Sequence, residues 1–331
     1  MALINCPECN ATISEFSKVC IRCGFPIAEA GVAPPSPVAE AAPFTPPPLP
    51  PDVITPPVWN PETPPQAQIS AEVSLNPGDH NVTATQQTPA FIVYLIDVSA
   101  SMNQPLAPDG SGPSKISIVR EAIQRSIKVM MRRSMKGEII SERYGLVMLT
   151  YGDRVNDVYR GNTSIAEAVK RPLPEFQMQV RTNTALAFSE ASKIIKKNLK
   201  FLGNSPSPII CHLTDGEYND GGSPQQIVQE IRSIRNTDGP VLVENVFVGT
   251  DLTREPITDI RHWPGVLSPD SLTTDYLRDL YDMSSPLPAS YAGEIRTFGY
   301  GLQPGAKMLI PAQSPELVEL AFVMGSATKT K

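Results

Sequence analysis

The sequence has no long apolar run, and it has few aromatic residues and few basic residues near its start. Because no stretch of roughly 18 or more apolar residues occurs, no transmembrane helix is predicted. The opening Met-Ala-Leu-Ile-Asn-Cys lacks the basic and apolar segments of a signal peptide. Lys and Arg are missing from Gly24 through Ser114, and the formal charge is −6. This balance disfavours general binding to nucleic acid or to anionic membranes.

Recognisable catalytic arrangements are also missing. The three histidines, His80, His212 and His262, are scattered and have no neighbouring nucleophile in a familiar pattern. The segment Gly110-Ser-Gly112 lacks the Gly-Lys-Ser/Thr of a phosphate-binding loop. The sequence therefore predicts a protein without enzymatic activity, and His212, inside an apolar run, is expected to be a hydrogen-bonded core histidine.

Proline, in contrast, is abundant, and its distribution divides the chain. About half of the 35 prolines fall in the first 90 residues. Residues 28–68 lack apolar periodicity and favour extended polyproline II geometry, so we expect residues 28–90 to form a mostly disordered Pro-rich linker that acts as a spacer. Within it, residues 69–90 are ambiguous, because Ile69, Val73 and Leu75 hint at a strand.

Residues 1–27 hold most of the cysteines. Two Cys-x-x-Cys pairs are separated by ten residues and comprise Cys6, Cys9, Cys20 and Cys23. Paired knuckles of this kind predict a zinc ribbon with four thiolates on one Zn²⁺, although a single Cys-x-x-Cys also suits redox chemistry. Metal binding would then supply the folding energy of so small a unit. This cysteine usage fits a reducing compartment, so a cytoplasmic location is expected.

From residue 91 onward, apolar β-branched runs alternate with amphipathic helical patterns. This alternation predicts an α/β domain over residues 91–331, with a doubly wound, mainly parallel sheet of the Rossmann-like type and a C-terminal helical extension. The predicted strands are 91–96, 144–151, 155–159, 208–214 and 241–248. The predicted helices are 116–133, 185–199, 224–234, 271–283 and 315–324.

Oxygen-bearing side chains follow two of these strands and precede one helix. Ligands gather at the carboxyl ends of strands in such sheets, so we expect these side chains to lie together. Taken singly, each is also an ordinary turn or cap residue. Two carboxylates and three hydroxyls together favour one Mg²⁺ or Mn²⁺. The predicted metal ligands are Asp97, Ser99, Ser101, Thr182 and Asp215.

This pattern resembles the metal-ion-dependent adhesion site of von Willebrand factor A (vWA) domains. The family pattern is Asp-x-Ser-x-Ser, a loop Thr, and a loop Asp followed by Gly. The resemblance implies that Ser99 and Ser101 coordinate directly, that Thr182 and the aspartates bind directly or through water, and that an open position takes a partner's Asp or Glu. The chain departs from the family in its long 103–114 loop and in Arg181 and Ala185, where many members have glycine. Thr184 is an alternative to Thr182.

The combination of motifs suggests a metal-dependent protein-interaction module or scaffold. It also resembles bacterial tellurium-resistance-type vWA proteins, which implies a signalling or stress-response system linked to a protein kinase or phosphatase partner. Two alternatives stay open: a nucleic-acid-associated zinc-ribbon factor, and a subunit of an AAA-type ATPase or chelatase complex. The low basicity of the chain disfavours the nucleic-acid alternative.

Overall fold

The computed structural model describes residues 3–5, 12–14, 80–107, 109–216, 218–219 and 222–326. The chain divides into two units, residues 1–69 and 70–331. In the first unit, β1 (Leu3–Asn5) pairs antiparallel with β2 (Thr12–Ser14). The four cysteines of the predicted zinc ribbon and residues 28–79 of the predicted linker lie outside the described residues.

The second unit alternates strands and helices along the chain, as the sequence predicts. Its elements are, in order, β3 (Ala90–Asp97), a 3-10 turn (Ala100–Asn103), α1 (Lys115–Ser134), β4 (Met135–Lys136), β5 (Ile139–Ile140), β6 (Tyr144–Tyr151), β7 (Val155–Asp157), β8 (Thr163–Ser164), α2 (Ile165–Ala168), α3 (Thr184–Asn198), β9 (Ile209–Thr214), α4 (Gln225–Ser233), β10 (Leu242–Phe247), a 3-10 turn (Pro269–Ser271), α5 (Asp275–Met283), α6 (Ala289–Thr297), β11 (Leu309–Pro311) and α7 (Pro315–Gly325).

The main sheet has the strand order β11-β10-β9-β3-β6-β7, and β8 also pairs with β6. Neighbouring strands from β11 through β6 are parallel, whereas β7 and β8 run antiparallel to β6. The prediction of an α/β domain with a mainly parallel sheet is therefore confirmed.

Both faces of the sheet are covered by helices, which explains why the central strands are continuously apolar. Along β3, Ile92 and Tyr94 join the core on one face, and Val93 and Leu95 join the core on the other. Buried residues of α1, α6 and α7 complete the first core, and those of α3, α4 and α5 complete the second. Within the described residues, no helix has the length and apolar character needed to cross a membrane.

The strand order places a switch point between β3 and β9. From β3 the chain continues to β6 on one side, and it later returns to β9 on the opposite side of β3. In open α/β sheets, the connections leaving two such strands diverge and leave a crevice at their carboxyl ends. The loops after Asp97 and after Thr214 both begin at this crevice.

Some C-terminal elements differ from the prediction. The helix predicted over 271–283 begins only at Asp275, because a 3-10 turn precedes it and the Thr274 side chain caps it by accepting a hydrogen bond from Leu277 N. The sequence patterns gave no indication of α6 or β11. The short β11 adds to the edge of the sheet by pairing in parallel with β10.

Residues 80–90, at the end of the predicted linker, are described and contact the sheet domain. The backbone N–H of His80 donates a hydrogen bond to the backbone carbonyl of Asp238 at 3.1 Å. The backbone N–H of Val82 donates to Oδ1 of the same aspartate at 2.8 Å. Asp238 Oδ2 accepts from Ser207 N at 2.9 Å, and Ala84 is fully buried in the core. Residues 80–90 are thus part of the packed second unit.

Candidate metal centre

Asp97 is the last residue of β3, and its carboxylate is held on both oxygens. Oδ1 accepts a hydrogen bond from the Ser99 backbone N–H at 2.8 Å. Oδ2 accepts from the Thr214 hydroxyl at 2.9 Å, and Thr214 is the last residue of β9. Asp97 is fully buried. The carboxylate is therefore fixed between the ends of the two strands that flank the switch point.

Asp215 follows directly after β9 and lies opposite the Asp97-x-Ser-x-Ser loop. Its Oδ1 accepts a hydrogen bond from the Ser101 hydroxyl at 2.9 Å, and the Ser101 and Ser99 hydroxyls are 3.1 Å apart. Its Oδ2 lies 2.8 Å from the Lys115 ammonium. Hydrogen bonds thus join four of the five predicted ligands, Asp97, Ser99, Ser101 and Asp215.

Thr182 lies in the loop before α3, and its backbone is held by hydrogen bonds on both sides of the peptide unit. Its N–H donates to Asn219 Oδ1 at 2.9 Å, and the Asn219 N–H donates to its carbonyl at 3.1 Å. Earlier in the same loop, Gln179 N–H donates to the carbonyl of Val98, between Asp97 and Ser99 in the chain, at 2.7 Å. Within the described residues, the Thr182 side chain makes no hydrogen bond to the other four predicted ligands.

Thr184, the alternative to Thr182, begins α3, and its side chain is buried. Burial raises the pKa of the Tyr151 phenol well above its ordinary value, and the hydroxyls of Thr184 and Thr214 beside the phenol oppose this rise. The Thr184 hydroxyl is therefore next to a buried tyrosine. Asn183, between the two threonines, caps α3 by accepting from Leu186 N at 2.9 Å.

Burial governs the electrostatics of the two carboxylates. Loss of hydration raises the pKa of Asp97 to about 6, against the opposing hydrogen bonds from Ser99 and Thr214, and the charge of Asp215 raises it further. The Lys115 ammonium compensates one of the two negative charges. A divalent cation carries two positive charges, so it would compensate both carboxylates and favour their ionised forms.

A buried polar chain supports the sheet beneath this cluster. The Tyr151 hydroxyl lies 2.7 Å from His212 Nε2, and His212 Nδ1 lies 2.7 Å from Asn245 Oδ1. Because Asn245 Nδ2 donates to Leu280 O and Ser284 Oγ, its Oδ1 is the acceptor, so His212 carries its proton on Nδ1 and accepts from Tyr151. Burial lowers the pKa of His212 to about 4. This geometry agrees with the expectation of a satisfied core histidine.

The donor set fits a hard divalent cation. Carboxylate and hydroxyl oxygens are the ligands that Mg²⁺ and Mn²⁺ prefer, and they meet here at one edge of the sheet. In the part of the chain that the structure describes, no three His, Cys, Asp or Glu side chains form a metal-binding group. An ion at this edge would therefore need hydroxyl oxygens in addition to the two aspartates.

Two residues of the cluster were not anticipated from the sequence. Thr214 orients Asp97, and its position between a buried strand and Asp215-Gly216 is a local signal that could have indicated it. Lys115 contacts Asp215 across 100 residues of sequence. Since Lys115 starts a helix after a long loop, only the three-dimensional structure shows this contact.

Comparison with known proteins gave only partial structural similarities. No family model matches the sequence, and no curated protein matches it. A crystal structure of the ArnB paralog VWA2 from Sulfolobus acidocaldarius is 16% identical with a TM-score of 0.33, covering 49% of this chain and 35% of that chain. Proximal thread matrix protein 1 from the mussel byssus, whose metal-ion-dependent adhesion site (MIDAS) motif is occupied by zinc, is 18% identical with a TM-score of 0.33. The match covers 50% of this chain and 37% of that chain.

A third similar structure is the conserved hypothetical protein BatB from Bacteroides thetaiotaomicron, at 15% identity and a TM-score of 0.33, covering 49% of this chain and 68% of that chain. The present chain thus spans about a third of the length of the first two proteins. TM-scores this low assign neither family nor function, and both are inferred below from the residues of the chain itself.

Proposed function

We propose that the sheet domain is a vWA-type, metal-dependent protein-interaction module. In this proposal Asp97, Ser99, Ser101, Thr182 and Asp215 hold one Mg²⁺ or Mn²⁺, and the ion binds a carboxylate of a partner protein. The site then serves binding rather than catalysis.

The observation that carries the proposal is the convergence of two strand ends on one set of oxygens. Asp97 ends β3 and Asp215 follows β9, and the Ser99 and Ser101 hydroxyls lie between their carboxylates. Burial disfavours the ionised form of Asp97 and raises its pKa, although Ser99 and Thr214 donate hydrogen bonds to its carboxylate. A bound ion would therefore stabilise the ionised state of this cluster.

We place Thr182 rather than Thr184 in the ligand set because of the contacts of its backbone. The N–H and carbonyl of Thr182 are hydrogen-bonded to Asn219, which lies in the loop after Asp215, so this threonine is tied to the loop that carries a proposed ligand. Thr184 starts α3, and its hydroxyl is buried beside the Tyr151 phenol.

One exposed residue beside Thr182 indicates the chemistry of the partner. Val180 is 77% exposed, whereas the charge of Arg181 is paired with Asp153, whose Oδ1 lies 3.9 Å from Arg181 Nε. Burial of an exposed valine against another apolar side chain is favourable. We therefore propose a partner that presents its Asp or Glu next to an apolar residue.

The N-terminal cysteines extend the proposal to a second metal. Cys6, Cys9, Cys20 and Cys23 are proposed to bind one Zn²⁺ as a small ribbon that contacts protein. Two tethered binding units raise the effective concentration for a shared assembly. A cytoplasmic location and a protein kinase or phosphatase partner are also hypotheses; the first is based on the paired cysteines and the second on the resemblance alone.

Calorimetric titration with MnCl₂ tests the proposed adhesion site. We expect the wild-type chain, with zinc already bound, to take up one Mn²⁺, and Asp97→Ala to lose binding by at least about a hundredfold while keeping its circular dichroism spectrum. Glu138→Gln is the matched control, because Glu138 is an exposed carboxylate beyond the far end of α1. Equal binding by wild type and Asp97→Ala would refute the assignment.

A further inference from the structure

The ion pair between Lys115 and Asp215 carries an inference about how the proposed site is tuned. Lys115 Nζ lies 2.8 Å from Asp215 Oδ2, and the side chains are 17% and 1% exposed. The other oxygen of Asp215 accepts from Ser101. Both oxygens of this carboxylate are thus engaged, one of them by a cation that belongs to the chain.

Lys115 is also held firmly at its backbone. It is the first residue of α1, and its N–H donates to the Gln104 carbonyl at 2.9 Å, which closes the 104–114 loop. An antiparallel β-bridge between Pro105 and Ser114 also joins the two ends of this loop. The ammonium is therefore tethered at the edge of the cluster and can move from Asp215 only by rotation of its own side chain.

We propose that Lys115 is a built-in counter-cation that lowers the affinity of the site for a divalent ion and raises the affinity of the ion-loaded site for an anion. This inference rests on the proposed function, because it concerns the same cluster. An ion that binds Asp215 must share the carboxylate with the ammonium or displace it from Oδ2. Two cations at one partly buried carboxylate repel each other, since the screening by water is reduced there.

The charges at the cluster explain the second half of the proposal. Asp97 and Asp215 contribute two negative charges when ionised, and Lys115 contributes one positive charge. A bound divalent ion leaves this group with a net charge of about +1, whereas the same group without the lysine would be neutral. A net positive site attracts the carboxylate of a partner, and a neutral site attracts it less.

Variants at position 115 test the proposal through two opposite readouts. Lys115→Met removes the charge at similar length, Lys115→Arg keeps it, and Lys128→Met removes an exposed lysine of the same helix as a control. For Lys115→Met we expect the dissociation constant for Mn²⁺, measured by equilibrium dialysis, to fall roughly tenfold. Lys115→Arg and Lys128→Met should stay within about twofold of wild type.

The second readout uses acetate as the carboxylate probe on the Mn²⁺-loaded chains. Acetate should perturb the water-proton relaxation of bound Mn²⁺ at lower concentration in wild type and Lys115→Arg than in Lys115→Met. Equal Mn²⁺ affinity in wild type and Lys115→Met, or equal acetate response, overturns the role of Lys115 and leaves the proposed site standing. Loss of Mn²⁺ binding in all four proteins, the wild type included, refutes the proposed site instead.

A measurement on the wild-type chain tests the same proposal without any substitution, so a folding defect of a variant cannot affect its result. Reductive methylation followed by mass spectrometry reports the accessibility of each lysine amine. We expect addition of Mn²⁺ to increase the labelling of Lys115 severalfold, because the ion weakens its contact with Asp215, and to leave Lys128 unchanged. Unchanged labelling of Lys115 in a chain that binds Mn²⁺ contradicts the proposal.

Discussion

The hydroxyl of Ser101 donates a 2.9 Å hydrogen bond to Oδ1 of Asp215, although the two residues are 114 positions apart in the chain. The contact joins the loop after β3 to the loop after β9. These strands are parallel neighbours on either side of the switch point, so their loops begin at the same crevice. The site geometry is thus a direct consequence of the strand order.

The two threonines before and within α3 should respond differently to substitution. Thr182→Ala removes a proposed ligand, and we expect the Mn²⁺ affinity to fall roughly tenfold or more with little change in stability. Thr184→Val keeps the buried volume, so it should change the affinity less than about twofold and the free energy of unfolding by less than about 1 kcal/mol. Calorimetric titration and urea unfolding of both variants measure these effects. The reverse order of affinities would assign the ligand to Thr184.

Gly152 allows the Thr182 loop to approach the sheet closely. A Cβ at this position would lie 2.6 Å from Gln179 Cβ and 2.9 Å from the Arg181 carbonyl oxygen. Gly152→Ala should therefore displace the loop, lower the free energy of unfolding by about 1–3 kcal/mol and weaken Mn²⁺ binding. Gly203→Ala is the control, because no atom lies within 4 Å of its added Cβ. Similar stability and Mn²⁺ affinity in the two variants would show that the close approach has no consequence.

Buried His212 should make the fold sensitive to acid. Burial lowers its pKa from 6.5 to about 4, so the unfolded chain takes up a proton that the folded chain excludes. Its contribution to stability is present above pH 6.5 and is lost as the pH falls from 6.5 toward 4, at roughly 1 kcal/mol for each pH unit. Urea unfolding of wild type and His212→Gln across this range isolates the effect as a difference. A difference that does not change with pH would contradict a neutral, buried His212.

The proposed zinc unit gives a prediction on metal content. We expect one Zn²⁺ per chain by elemental analysis of protein purified without chelator, and its loss in Cys20→Ser. The variant should keep the Mn²⁺ affinity of the wild type, because the proposed Mn²⁺ ligands all come from the second unit. Normal zinc content in Cys20→Ser would argue against a site with four thiolates.

The sequence predicts the central elements well because their apolar runs are long. The run over 144–151 coincides with β6, and the pattern over 116–133 differs from α1 by one residue at each end. Asp97 and Asp215 are predictable as metal ligands because each lies at the end of a long apolar run. Their meeting then follows from the general behaviour of parallel sheets.

Elements and contacts without a local signal escaped prediction. β11 has only three residues, and its strand character comes from pairing with β10. The ion pair of Lys115 depends on the path of the 104–114 loop, which no periodicity encodes. Tyr151 and His212 meet across the sheet because β6 and β9 flank β3, a strand order that the sequence pattern left undetermined.

Anomalous diffraction from crystals of the full chain grown with MnCl₂ tests the central claim most directly. We predict one strong manganese peak at the carboxyl ends of β3 and β9, roughly 2.0–2.3 Å from the hydroxyl oxygens of Ser99 and Ser101. Asp97 and Asp215 should bind the same ion directly or through water. A well-ordered structure in which manganese is absent from this crevice, or binds only elsewhere, would contradict the proposed function.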